Sequence, residues 1–220
     1  MMLGARTAAW AKGGTPLPYL RRVAYLESHG TEYLQTDITP KIGCSIKCEY
    51  LYNVLPVNQD YQTLFSAGTG TCQLIALGAV VPVGLNPTDG FYYKYFASGG
   101  AANFYYYPQT NTKYSLSVNS NGVARIGLYS STSSPVSELD GSKTTLHILK
   151  RSNGTSAMLG KLFSFLMNDE NGNEILNIIP VLDFTERPCM YNQAPLAVPA
   201  DELSRFFYNQ GTGEFTWGEL

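Results

Sequence analysis

The chain has 220 residues, of which 15% are charged, and a formal net charge of −2. That length suffices for one domain with a sizeable core. The sequence has no basic run or stripe, which argues against nucleic-acid binding through neutralised phosphates. No apolar run approaches the roughly 20 residues needed to span a bilayer, which argues against a membrane-crossing helix.

Residues 1–19 show no helix or strand period and contain two adjacent glycines and two prolines. We predict an extended arm over residues 1–19, ahead of a domain over residues 20–220. Its apolar anchors are Leu3, Trp10, Leu17 and Tyr19. Ordering such an arm costs on the order of 1–2 kcal/mol of backbone entropy per residue. Because four anchors on the same domain would hardly offset that cost, we expect the arm to bind a neighbouring subunit.

Short segments with strand periodicity follow, separated by turn residues. The clearest is Cys44–Tyr52, in which Ile46 and Cys48 share one face while Lys47 and Glu49 share the other. Asn121-Gly122 is a strong hairpin signal. The predicted strands are Val23–Leu26, Tyr33–Thr36, Cys44–Tyr52, Gln62–Ala67, Cys72–Leu77, Phe91–Ala97, Tyr114–Asn119, Val123–Leu128, Thr144–Lys150, Lys161–Met167, Ile175–Val181 and Arg205–Tyr208.

This order of elements predicts an all-β fold, a two-sheet antiparallel sandwich of the jelly-roll type. The only helix predicted is a short one around Ala200–Leu203. The four cysteines, Cys44, Cys48, Cys72 and Cys189, form no CxxC pair. Cys44 and Cys48 would lie roughly 13 Å apart on one strand face, beyond disulfide reach. We therefore expect buried free thiols, which suits assembly in the cytoplasm.

Both ends of the predicted domain carry recognisable phrases. The opening phrase is VAYLESHGTEYLQTDITP, at Val23–Pro40. The closing phrases are GKLFSF at Gly160–Phe165, ILNIIPV at Ile175–Val181 and FYNQGTGEFT at Phe207–Thr216. Together they resemble concanavalin A-like (laminin G-like) jelly-roll domains, which are found in tailed-phage and prophage structural proteins and in gut-bacterial surface proteins. The resemblance implies a sandwich whose opening and closing strands pair. It implies no particular chemistry, since one fold hosts many functions.

Glycoside hydrolysis is the first enzymatic activity to consider for this fold. Related glucanases use a Glu-x-Asp-x-x-Glu strand, in which paired carboxylates act as nucleophile and acid. The nearest string here is Glu138–Lys143, where Lys143 replaces the second Glu and Gly141 interrupts the strand. We interpret it as a solvated loop and predict no catalytic residue. His29 and His147 form neither a triad nor a zinc pattern with other residues of the sequence.

Oxygen-bearing side chains crowd the segment 168–174, where Asp169, Asn171 and Asn173 are weak candidate calcium ligands. The glycine is misplaced for an EF-hand loop, and the family resemblance places a hairpin turn here. We predict a turn and no cofactor, with calcium as the alternative.

Aromatic residues concentrate at Phe91–Phe96 and Phe104–Tyr107. Residues on a strand alternate between its faces, so half of these rings would point away from the core. Exposed tyrosines stack on sugar rings and also favour protein interfaces. The candidate glycan- or partner-binding residues are Tyr93, Tyr95, Asn103, Tyr106 and Gln109. The alternative is a Tyr-rich sheet whose outward rings only cover surface.

The N-terminus lacks the apolar core of a secretory signal. Together with the resemblance, this favours a non-enzymatic structural or adhesive protein of a tailed phage or prophage particle, in a tail, a fibre or the capsid surface. Such a protein would assemble in the host cytoplasm, reside in the virion and contact other virion proteins, copies of itself and glycans, but no nucleic acid or membrane. The alternative is a carbohydrate-binding module of a gut-bacterial surface protein. A glycoside hydrolase ranks third.

Overall fold

A computed structural model describes residues 17–55, 62–69, 73–78, 91–97, 102–104, 108–195 and 202–220. Within these residues the chain forms seventeen strands and one short 3-10 helix. The strands are β1 (Arg21–Arg22), β2 (Tyr25–His29), β3 (Leu34–Gln35), β4 (Ser45–Tyr52), β5 (Gln62–Ala67), β6 (Gln73–Gly78), β7 (Phe91–Ala97), β8 (Ala102–Phe104), β9 (Lys113–Val118), β10 (Val123–Ile126), β11 (Tyr129–Thr132), β12 (His147–Ile148), β13 (Leu159–Asn168), β14 (Glu174–Leu182), β15 (Pro188–Asn192), β16 (Phe206–Phe207) and β17 (Thr216–Gly218).

The strands form two antiparallel sheets, which confirms the predicted sandwich. The large sheet has the order β11-β10-β9-β4-β13-β14-β15-β16, with β1 paired to β14 and β2 paired to both β13 and β17. The small sheet has the order β3-β12-β5-β6-β7-β8. Pairing of Glu27 in β2 with Thr216 in β17 joins the opening and closing strands, as the family resemblance implied.

The strand β13 is central to the large sheet. Its first half pairs with β2 and its second half with β14, while β4 pairs along its other edge. On β4, Ile46, Cys48 and Tyr50 are buried between the sheets, and Lys47 is exposed on the opposite face. Alternation along the strand thus separates the core from a solvent-facing surface.

The hairpin between β9 and β10 forms at Asn121-Gly122, as predicted. Asn119 Oδ1 accepts hydrogen bonds from the backbone N–H groups of Asn121 and Val123, at 3.0 and 2.9 Å. Gly122 has a φ of 71°, in the left-handed region that glycine adopts without steric cost. A Cβ there would also collide with the backbone oxygen of Ser133.

Three cysteines are free and buried, which confirms the expectation for Cys44, Cys48 and Cys189. Burial raises the pKa of the Cys44 and Cys189 thiols to about 12, and it also raises the pKa of Cys48. These thiols are therefore protonated and unreactive near neutral pH. Cys72 lies outside the described residues.

The sequence misplaced or missed several short elements. The helix expected around Ala200–Leu203 is a 3-10 turn at Glu202–Arg205, with residues 196–201 outside the described part of the chain. The strand β15 begins with a proline, which is tolerated at the first position of a strand. The edge strand β11 is short and mostly exposed, so it has no apolar alternation that would reveal it. In the described residues, no helix has the length and apolar character needed to cross a bilayer.

The end of the predicted arm packs on the chain's own domain, which corrects the expectation for Leu17 and Tyr19. Tyr19 is buried in a small cluster with Val181 and Tyr191, and Leu17 packs against the same cluster. The rings of Tyr19 and Tyr191 have centroids 5.2 Å apart. Apolar burial on β14 and β15 therefore holds this segment. Leu3 and Trp10 lie outside the described residues, so a subunit contact there stays a prediction.

Replacing Tyr19 with alanine is expected to lower the free energy of unfolding by about 3 kcal/mol, because a buried aromatic ring is lost. The matched control is Tyr129→Ala, since Tyr129 is 50% exposed. It should stay within about 0.5 kcal/mol of the wild type. Urea denaturation of the full chain measures both values. Equal stability of the two variants would show that Tyr19 does not anchor the segment.

Candidate functional site

The predicted exposure of Tyr93 and Tyr95 is wrong, because both side chains belong to the core. Their exposed fractions are 1% and 0%. The Tyr93 hydroxyl donates to the Gly122 carbonyl at 2.6 Å, and the Tyr95 hydroxyl donates to the Cys44 carbonyl at 2.8 Å. Burial raises the pKa of Tyr93 to about 12 and raises that of Tyr95 as well. These hydroxyls tie the small sheet to turns of the large sheet and offer no face to a ligand.

The other residues of that hypothesis do not complete a site with these two tyrosines. Asn103 lies in β8, paired opposite Tyr92 of β7. Gln109 is exposed, and its backbone N–H donates to the Tyr114 hydroxyl at 2.9 Å. Tyr106 lies outside the described residues, so a ligand contact there stays a prediction.

The carboxylate string Glu138–Lys143 forms a loop with no regular structure, as predicted. Glu138 is exposed and accepts a long hydrogen bond of 3.4 Å from the Ile42 backbone. His147 is 6% exposed, and burial lowers the pKa of its imidazole. It stacks on Tyr33 with ring centroids 6.0 Å apart.

The candidate calcium segment forms the turn between β13 and β14. Asp169 Oδ1 accepts from the backbone N–H groups of Asn171 and Asn173, at 2.9 and 2.8 Å. The Asn173 amide donates to the other oxygen of Asp169 at 2.9 Å, and this hydrogen bond lowers the pKa of the carboxyl. In the described part of the chain, no three His, Cys, Asp or Glu side chains group around a potential metal position. Calcium at Asp169, Asn171 and Asn173 stays a prediction.

The turn of the opening phrase is built around a buried carboxylate. Glu32 is 2% exposed and accepts hydrogen bonds from the His29 backbone at 2.6 Å and the Thr31 hydroxyl at 2.8 Å. Burial alone would raise the pKa of Glu32, but these hydrogen bonds outweigh it and hold the pKa below its ordinary value. Sequence reasoning missed this role, although Glu32 lies within the opening phrase.

The closing phrase fits around this carboxylate. Asn209 Oδ1 accepts from the backbone N–H groups of Tyr33 and Gly211, at 3.0 and 2.8 Å. A Cβ at Gly213 would overlap the Glu32 carboxylate, and one at Gly211 would overlap the Thr31 carbonyl. The phrases that carry the family resemblance are therefore needed for close packing of the chain ends.

The solvent-facing side of the large sheet carries the best candidate site, a shallow groove of about 390 Å³. It crosses β10, β9, β4 and β13, and two rows of outward side chains line it. One row pairs Leu166, Lys47, Ser117 and Arg125 across the four strands. The other row contains Asn168, Ser45, Asn119 and Val123. The groove thus combines two cations, hydroxyls and amides with an apolar floor at Leu166.

Aromatic rings lie beside this groove on the same face. Tyr25 and Phe163 are half-buried and meet edge to face, with centroids 5.7 Å apart. A lysine nitrogen covers each ring, with Lys161 Nζ 4.1 Å from the Tyr25 centroid and Lys113 Nζ 4.4 Å from the Phe163 centroid. A ligand must displace a lysine to stack on either ring.

A second concavity of about 380 Å³ lies at the rim, between the turn at Gly30 and the loop at Gly211. Its aromatic residue is Tyr33. The Lys150 ammonium lies 4.4 Å from the centre of the Tyr33 ring, and the ring also stacks on His147. Both contacts occupy surface that a sugar would need, so the groove on the large sheet is the stronger candidate.

Comparison with known proteins agrees with the fold. No protein-family model and no curated protein matches the chain. Among solved structures, the chain is similar to a candidate carbohydrate-binding protein from Bacteroides ovatus ATCC 8483, with a TM-score of 0.57 and 15% sequence identity. The match covers 94% of this chain and 62% of that structure's chain, so this chain spans less than two thirds of its length. At this identity, the match shows a shared fold.

Replacing Gly213 with alanine is expected to destabilise the protein by about 2–3 kcal/mol, because the methyl group would push Glu32 from its hydrogen bonds. The control is Gly127→Ala, since nothing lies within 4 Å of a Cβ at Gly127. Its φ of 58° makes a cost of about 1 kcal/mol expected. Thermal unfolding compares the two. A smaller loss for Gly213→Ala than for Gly127→Ala would contradict the proposed packing.

Protonation of Glu32 is expected to destabilise the fold in acid. Since its folded-state pKa is depressed, its contribution is complete above the unfolded pKa of about 4.3. The contribution is lost as the pH falls through the lower folded pKa. The Glu32→Gln variant should therefore be less stable at pH 7 and lose less stability than the wild type between pH 5 and pH 3.

Urea unfolding at several pH values measures this dependence. The exposed Glu214 supplies the control variant Glu214→Gln, which should follow the wild-type curve. An acid dependence that is identical in Glu32→Gln and the wild type would overturn the role given to Glu32.

Proposed function

We propose that this chain is a non-catalytic carbohydrate-binding domain that holds a glycan in the groove on the large sheet. The observation that carries the proposal is the lining of that groove, which places hydroxyl, amide and cationic groups around Leu166. Sugars present hydroxyls that need paired donors and acceptors, together with an apolar C–H surface. A shallow, mostly polar groove on a rigid sheet meets both needs.

The similar Bacteroides structure, a candidate carbohydrate-binding protein, supports the same proposal. It supports a binding role for this sandwich. It does not indicate a particular ligand, because the sequence identity between the two chains is only 15%.

The charges beside the groove argue for binding without hydrolysis. A glycosidase of the two-carboxylate type needs an acid and a base or nucleophile, roughly 5–9.5 Å apart and free to act. The carboxylates of Glu49 and Glu27 instead pair with Lys113 at 2.9 Å and Lys161 at 3.9 Å. On the outer face of β4, Glu49 lies between Lys47 and Leu51. We therefore propose that any bound glycan leaves intact.

We place the domain in a tailed-phage or prophage particle, on the resemblance of its two end phrases to proteins of that kind. In that setting, other virion proteins or copies of the chain would be its partners, and Leu3 and Trp10 would supply contacts. The alternative setting is a bacterial cell surface. Mass spectrometry of purified particles from the source strain separates the two, since only a particle protein co-purifies with capsid and tail proteins.

A glycan array tests the proposed function. The wild type should bind at least one glycan, and Ser117→Phe should weaken that binding at least about tenfold by filling the middle of the groove. An outward aromatic residue is well tolerated on a strand, so the melting temperature should change little. The matched control is Ser134→Phe, at an exposed serine in the loop after β11.

Two outcomes would contradict the proposal. One is a wild type that binds neither neutral nor charged glycans on the array. The other is equal binding of a captured glycan by Ser117→Phe and Ser134→Phe. The first result would reject carbohydrate binding, and the second would reject the groove as its site.

A further inference from the structure

Two cations in the groove differ from their basic neighbours Lys113 and Lys161 on this face. Lys113 and Lys161 each pair with a glutamate, at 2.9 and 3.9 Å. The charged groups of Lys47 and Arg125 make no ion pair or side-chain hydrogen bond with any residue that the structure describes. Both side chains are exposed.

Strand register brings these two cations to one place. Lys47 of β4 and Arg125 of β10 both pair with Ser117 of β9, from opposite sides. Strands lie about 4.8 Å apart, so the two Cα atoms are about 10 Å apart on the same face. Long flexible side chains at that separation can converge on a single anion above Ser117.

The carboxylates around the groove bind groups other than these two cations. Glu49 follows Lys47 by two positions on the same face, but its carboxylate is bound by Lys113 at 2.9 Å. Asp169 follows β13, and its oxygens accept hydrogen bonds from its own turn. Glu174 pairs with Asn168 across the sheet, and its carboxylate accepts a hydrogen bond from the Asn177 amide at 3.0 Å. Among the described residues, no carboxylate is therefore bound to Lys47 or Arg125.

We infer that the groove binds an anionic polysaccharide, with a carboxylate or sulfate of one sugar unit held between Lys47 and Arg125. This inference rests on the proposed function and names its ligand class. The guanidinium of Arg125 has a planar fork that matches a carboxylate or sulfate, while Lys47 supplies a point charge. The Ser117 hydroxyl and the Asn168 amide are positioned for neighbouring sugar hydroxyls, and Leu166 offers an apolar contact to the ring.

The geometry favours a sugar anion over a nucleic acid. Phosphate-backbone binding requires several cations spread along the strand, and its affinity rises with their number. Here two cations flank one hydroxyl within a short groove. In addition, the neighbouring rings of Tyr25 and Phe163 are covered by lysines, so neither ring offers an open platform for stacking bases.

Matched polymers test the inference by isothermal titration calorimetry and affinity electrophoresis. Polygalacturonate and its methyl ester share a backbone and differ in charge, as do dextran sulfate and dextran. The wild type should bind one of the charged polymers at least about tenfold more tightly than its neutral partner, because charge-assisted hydrogen bonds are lost in the neutral form. Binding should weaken as salt rises.

Charge reversal locates the binding. The double variant with Lys47→Glu and Arg125→Glu should lose at least about a hundredfold in affinity for the charged polymer, roughly tenfold for each lost cation. The control is Lys143→Glu, which makes the same change at an exposed lysine in the loop before β12. It should bind as the wild type does. A melting temperature within a few degrees of the wild type confirms that the double variant is folded.

The outcomes separate this inference from the proposed function. Preference for the neutral polymers would overturn the inference and leave carbohydrate binding intact. Binding to none of the four polymers would also overturn the inference, while the glycan array alone decides carbohydrate binding. Retained affinity in the double variant would remove Lys47 and Arg125 from the site. Binding of duplex DNA as tightly as the charged polysaccharide would also overturn the inference, since any polyanion would then suffice.

Discussion

The alternation of side chains along β4 and β13 is the constraint on which the rest of this structure depends. These strands pair along their whole common length, and β13 also carries β2 and β14 on its other edge. The alternation that buries Ile46 and Cys48 against the small sheet leaves Lys47 on the solvent side. The core and the groove thus depend on the same pairing register of these strands. A shift of that register by one residue would turn the core side chains toward solvent and the groove side chains toward the core.

The two end phrases have a different role. They fix the two ends of the chain, which meet in one sheet. The Glu32 carboxylate has no cation among its hydrogen-bond partners and is held by donors of its own turn, while Asn209 and Gly213 fit against that turn. A buried charge is tolerated when hydrogen bonds replace its water. These residues explain why the phrases indicate a fold without indicating a ligand, since their side chains are occupied within the protein.

Local signals made much of the fold predictable. The alternation of β4 and the Asn-Gly hairpin depend on neighbouring residues, and both are present in the structure. The tyrosines of β7 were misassigned because alternation gives two sets of side chains without saying which set faces the core. Lys94 on the opposite set was the available signal, and it is partly exposed whereas Tyr93 and Tyr95 are buried. The groove could not be predicted, because it joins Lys47, Arg125 and Asn168 through pairings between strands that are distant in sequence.

Pairing of charges on the outer face limits the positions at which an anion can bind. Exposed ion pairs contribute little stability each, so stability alone does not explain why Lys113 and Lys161 are both paired with glutamates beside the groove. Such pairing does limit where an anion can bind. Since Lys113 and Lys161 are paired with glutamates, Lys47 and Arg125 are the two cations lining the groove that stay open to an anion. A face built in this way directs a charged ligand to one position along the sheet, and the hydroxyl and amide groups around that position then discriminate among ligands of equal charge.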